Sequence, residues 1–141
     1  MSQLESTFLD DATAQELSER LADVFRTADV GSVLSEDVFL DGHPPLWRFQ
    51  LQGRDTAAAW LRGYSPTGAE TTVVRTVPTV NGFVTEFVGS HDENGEELTD
   101  RKILLCAVRG GEIVELTIYC SGDWDGELRA RHAAETQLIR P

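Results

Sequence analysis

The chain has 141 residues, 40% of them hydrophobic and 26% charged, with 12 Lys plus Arg set against 24 Asp plus Glu. A net charge of −12 gives a surface that phosphates avoid, which argues against sequence-independent nucleic-acid binding or docking on an anionic membrane. The length allows a single domain over residues 1–141 with a real core, and no apolar run is long enough to span a bilayer. The opening MSQLESTFLDD has neither a basic region nor a long apolar stretch, so it does not read as a signal peptide and a cytoplasmic location is expected.

In chain order, Asp11 to Ala28 reads as an amphipathic helix. Leu17, Leu21, Val24 and Phe25 recur at helical spacing, and Asp11 or Thr13 is the expected cap. A short helix is expected near Val30 to Leu34, then a strand over Val38 to Leu40. Asp41-Gly42-His43-Pro44-Pro45 reads as a break. Leu46 to Leu51 alternates as a strand, with Trp47, Phe49 and Leu51 on one side, and Asp55 to Arg62 reads as a helix. After Gly68 the character changes to a Val- and Thr-rich meander. Strands are expected over 70–80, 83–90, 97–109 and 112–120, with turns at Asn81-Gly82, Asn94-Gly95 and Gly110-Gly111. A last helix is expected over Trp124 to Glu135, followed by an extended tail. Helices first and an antiparallel meander second define an α+β fold.

Cofactor motifs are absent from the sequence: there is no GxGxxG and no phosphate loop. The histidines His43, His91 and His132 are scattered, so no metal is expected. Cys106 and Cys120 read as reduced core residues. Cys120, ahead of a helix start, is the better candidate if either thiol were reactive.

Three stretches together resemble the nuclear-transport-factor-2-like superfamily, and within it the SnoaL-like group. They are DVFLDGHPPLWRFQ after the first helix, Gly53-Arg54-Asp55 opening a helix that ends AWLRG, and the closing strand GGEIVELTIYC. The resemblance covers nearly the whole chain. It implies a cystatin-like cone, in which a curved antiparallel sheet wraps the N-terminal helices around a central apolar pocket. The same superfamily holds ketosteroid isomerases, polyketide cyclases, limonene epoxide hydrolases and non-catalytic modules, so fold and pocket are implied more firmly than activity.

Turn arithmetic then assigns faces. With Gly110-Gly111 as a two-residue turn, Ile103 faces Ile118 and Arg101 faces Cys120; with Asn94-Gly95, Arg101 faces Val88 and Ile103 faces Glu86. Glu86, Val88, Arg101, Ile103, Leu105, Leu116, Ile118 and Cys120 therefore share the aliphatic face, which is assigned to the pocket. Glu86 and Arg101 are expected to pair there, with Glu86 as a candidate general base and Arg101 as its partner. Trp47, Phe49, Trp60, Tyr64 and Trp124 lie near predicted element ends around the presumed pocket; Trp47 and Trp60 are expected to line it with Val88, Ile103, Ile118 and Cys120, and Trp124 to pack the last helix on the sheet. His43 is a candidate for the pocket mouth. The Asp–Arg–Asp set of limonene epoxide hydrolase is missing, since Ile118, Val88 and Ser90 fall at its positions. The other face, with Phe87, Leu104, Thr117 and Tyr119, is expected to form an isologous homodimer, as the resemblance implies. The leading expectation is a binding domain for a small apolar ligand. The alternatives are an isomerase- or cyclase-type enzyme acting through Glu86, and a non-catalytic dimeric module.

Overall fold

A computed structural model describes residues 7–140. Pro141 and the first six residues, where most of the signal-peptide reading falls, lie outside the described residues. The elements are α1 (Asp11–Thr27), β1 (Leu34–His43), β2 (Phe49–Gln52), α2 (Arg54–Tyr64), β3 (Glu70–Thr79), β4 (Gly82–Glu93), β5 (Glu96–Arg109), β6 (Glu112–Cys120) and α3 (Gly126–Glu135). The six strands form one sheet in the order β2-β1-β6-β5-β4-β3. The sheet is mixed, not wholly antiparallel as expected: β1 runs parallel to β6, with Leu40 beside Leu116 and Gly42 beside Ile118.

Helix α1 buries Leu17, Leu21, Val24 and Phe25, the residues its periodicity marks, and Ala14 besides. Its cap is Asp10, not Asp11 or Thr13; the Asp10 carboxylate accepts the Thr13 N–H at 3.3 Å. No helix forms at residues 30–34. Ala28 ends α1 in the left-handed region at φ 58°, Gly31 turns the chain again at φ 52°, and Leu34 already belongs to β1. Strand β1 also runs through Asp41-Gly42-His43, where a break was expected, because it is hydrogen-bonded to β2 on one side and β6 on the other.

The β3–β4 turn is Val80-Asn81, one residue earlier than expected, since Thr79 pairs with Gly82. The β4–β5 register follows the Asn94-Gly95 turn along its whole length, Glu86 opposite Ile103 and Val88 opposite Arg101. The β5–β6 register does not follow its turn. Arg109 pairs with Glu112 and Val108 with Ile113, but Ala107 pairs with Glu115, so Val114 is an extra residue, a β-bulge. From there on Leu104 faces Ile118 and Lys102 faces Cys120. A one-residue slip turns a strand over. Leu116, Ile118 and Cys120 thereby join Lys102, Leu104 and Cys106 on the inner face and leave Ile103 and Arg101 on the outer one.

The inner face carries the core. Phe83, Phe87 and Leu104 are fully buried, and Phe25 of α1 meets Phe87 edge-on at 6.0 Å between ring centres. A buried hydroxyl cluster ties α1 to the sheet, with Ser18 Oγ 2.8 Å from Thr85 Oγ1 and accepting from Thr76 at 2.7 Å. Between Leu21, Phe25, Leu40, Leu61 and Leu116 the packing leaves a void of only about 10 Å3. Room for a ligand lies elsewhere.

Candidate functional site

Helix α2 buries Ala57, Ala58 and Leu61, and this rotation points Trp60 and Tyr64, one turn apart, along a common side. Their rings stack at 5.7 Å, and Phe49 of β2 meets Trp60 at 5.4 Å. Gly42 makes this possible. A Cβ there would lie 2.4 Å from the Phe49 ring, so only glycine lets that ring lie over β1. These aromatics, with Gly42, His43, Pro44, Lys102, Ile118 and Cys120, line a cavity of about 140 Å3. A dry cavity of roughly 150 Å3 suffices for benzene.

One lining residue, Lys102, carries a buried charge, and its partner Asp100 sits behind the wall. Asp100 and Lys102 alternate onto the inner face of β5, and Lys102 Nζ donates to Asp100 Oδ2 with side chains 7% and 2% exposed. Gly89, opposite Asp100, leaves room for the carboxylate, since a Cβ at Gly89 would sit 2.8 Å from Asp100 Oδ1. Tyr64 hydroxyl donates to Asp100 Oδ2 at 2.9 Å and lies 3.0 Å from Asp123 Oδ1; its single proton serves one carboxylate at a time. Burial first, and then the two carboxylates, push the Tyr64 hydroxyl far above its ordinary pKa, so it stays a donor. The Cys120 thiol donates to Asp100 at 3.7 Å. Burial raises its pKa, which disfavours the thiolate a nucleophile needs. The ammonium of Lys102 has Asp100 as its one hydrogen-bond partner among the described residues and otherwise faces the Phe25 and Tyr64 rings, at 4.9 and 5.7 Å from their centres.

Of the residues singled out from sequence, His43, Trp60, Ile118 and Cys120 line this cavity. Trp47 does not; it is 72% exposed. The chain turns at Leu46 (φ 62°), Trp47 N–H closes that turn onto Pro44, and β2 begins only at Phe49, which takes the inward position. Glu86, Val88, Arg101 and Ile103 lie on the outer face, where the Val114 bulge leaves them. Glu86 and Arg101 do pair, at 2.9 Å, with Arg75 adding a second contact to Glu86 at 3.3 Å. Val88 and Arg101 border a second depression of about 300 Å3 with Thr99, Asp100, Ser121 and Trp124. His43 stacks on Tyr119 at 4.3 Å and contacts Asp41 at 3.2 Å. Phe87 and Leu104, assigned from sequence to an exposed face, are fully buried. Phe49 and Tyr64, read from sequence among the aromatics around the pocket, also line it; sequence reasoning missed Lys102 and Asp100. One signal was available: Lys102 is the only lysine in the chain, beside eleven arginines.

No family model and no curated protein matches the chain. Solved structures do resemble it. A nuclear-transport-factor-2-like protein from Anabaena variabilis superposes with a TM-score of 0.66 at 20% identity, over 87% of this chain and 96% of that one. A limonene-epoxide-hydrolase-like epoxide hydrolase of M. tuberculosis gives 0.64 at 16% identity, over 78% and 84%. A Catenulispora acidiphila protein of ketosteroid-isomerase-like fold, in complex with trimethylamine, gives 0.64 at 15% identity, over 74% and 84%. The chain therefore has the nuclear-transport-factor-2-like fold, an α+β cone built on a curved, open sheet. No described helix is long and apolar enough to cross a membrane.

Proposed function

We propose that this protein binds a small, uncharged, largely apolar molecule in the Phe49–Trp60–Tyr64 cavity and orients it by one acceptor oxygen placed on Lys102. The observation that carries this reading is a buried ammonium with one protein acceptor, set in an apolar wall. Apolar pockets take their specificity from a few such polar groups. The charge of Lys102 is already matched by Asp100, so an anionic ligand would bring an unbalanced charge into a buried site, whereas a carbonyl oxygen would not. The Catenulispora protein of the same fold holds trimethylamine, also a small molecule.

Benzamide is a suitable probe, because it is flat, uncharged and carries one carbonyl. It is expected to bind more tightly than toluene. The paired change Lys102→Met with Asp100→Asn removes both charges together and so avoids stranding one of them. It is expected to weaken benzamide by about tenfold, the worth of a hydrogen bond to a charged group, and to leave toluene nearly unchanged. Equal loss for both probes would overturn the assignment of Lys102. The enzyme reading built on Glu86 draws no support from its position across the sheet from the cavity.

A second reading concerns assembly. Ile103, Leu105 and Tyr119 stand 45%, 43% and 51% exposed on the outer face, and contiguous apolar surface of this kind marks interfaces. We propose that this face joins two copies of the chain isologously in the cytoplasm. Light scattering at micromolar concentration is expected to report a dimer for the wild-type protein and a monomer for Leu105→Glu. A monomeric wild-type protein contradicts this reading.

A further inference from the structure

We propose that Lys102 is a Schiff-base lysine, which captures a small uncharged aldehyde or ketone covalently in the cavity. This rests on the binding reading above and adds a bond to it.

Eleven of the twelve basic side chains are arginine. Arginine is the better buried counter-ion for a carboxylate, because its fork makes two bonds and is weakly hydrated. Here the buried partner of Asp100 is instead the single lysine. Of the two cations, only an amine can give up a proton and attack carbon. The geometry supplies what the step needs. Asp100 Oδ2 is in direct hydrogen-bond contact with Nζ and can take its proton. Tyr64 holds the same carboxylate oxygen at 2.9 Å, fixing it in place. The cavity walls Phe49, Trp60 and Ile118 are apolar, and poorly hydrated surroundings favour a reaction that expels water.

The ammonium first passes one proton to Asp100. The Nζ lone pair then bonds to the carbonyl carbon, and the π pair of the C=O bond moves to oxygen. A second Nζ proton moves to that oxygen, giving a carbinolamine. Asp100 returns its proton to the hydroxyl, the C–O bond breaks, and water leaves. The product is a protonated imine that keeps the positive charge of Lys102 beside Asp100, so the site's charge is the same before and after.

The test treats the folded protein with benzaldehyde and sodium cyanoborohydride at neutral pH and maps the adduct by peptide mass spectrometry. Lys102 is the only ε-amine in the chain, so the α-amino terminus is the sole competing amine. The expected result is one benzyl group on the Lys102 peptide, formed several times faster than on the same peptide in the urea-unfolded chain. Lys102→Arg, which keeps the charge beside Asp100, is expected to lose the adduct. Should that variant fail to fold, the wild-type comparison with and without urea decides alone. Labelling confined to the terminus, or equal rates with and without urea, overturns the proposal. If benzamide binds while benzaldehyde is not trapped, the binding reading stands and the covalent one falls; if neither interacts, both fall.

Discussion

At the outer rim of the cavity Arg48 donates two bonds to Asp41, each 3.0 Å long, and His43 approaches the same carboxylate. Arg48 first and His43 second hold the Asp41 pKa down at about 2, below the ordinary 3.8. The folded value lies below the unfolded one. The stabilisation is therefore complete above the unfolded value and is lost as the pH falls through the folded one. Melting temperatures measured through this acid window are expected to fall more steeply for the wild-type protein than for Asp41→Asn. Parallel curves would show that the clamp carries no stability. The clamp follows the turn at Leu46 and fixes where β2 starts, which brings Phe49, and not Trp47, over the cavity.

Among the elements, β6 decides which chemistry faces inward. Its extra residue, Val114, turns Leu116, Ile118 and Cys120 toward α1 and α2. Deleting Val114 would restore the register that the Gly110-Gly111 turn implies and would turn Leu116 and Ile118 outward. Each such side chain is worth roughly 1.5–3 kcal/mol when buried, so urea unfolding is expected to show a midpoint lowered well below wild type, or no cooperative transition. An unchanged midpoint would mean that the bulge does not set the inner face. The same strand explains what the sequence made legible. The Asn94-Gly95 turn specified the β4–β5 pairing, and helical spacing marked the buried stripe of α1. Alternation and turn length cannot reveal a bulge, because Val114 looks like any other strand residue. A correct turn therefore led to the wrong face for Glu86, Val88, Arg101 and Ile103. The parallel contact of β1 with β6 pairs Leu40 with Leu116, far apart in the chain, and no local signal encodes it.

Across the whole molecule, the sheet separates two surfaces. The outer one carries the Arg75–Glu86–Arg101 cluster and an apolar strip. The inner one carries a filled core and, beside α2, a cavity with one buried cation. The cone shape was legible because the order of its elements survives even where individual residues do not match. The site was less so, because Asp100, Lys102, Tyr64 and Phe49 come from three elements that only the fold brings together, and because lysine and arginine weigh alike in a charge count. The uniqueness of Lys102 also gives the most direct measurement of the central claim. Protein labelled with 13C- and 15N-lysine carries a single labelled side chain, and titration with benzamide follows it by NMR. That one Lys102 Cε–Hε signal is expected to shift saturably, in wild type and Glu86→Gln alike. A signal that stays fixed while benzamide binds elsewhere, or a shift that Glu86→Gln abolishes, would contradict that claim.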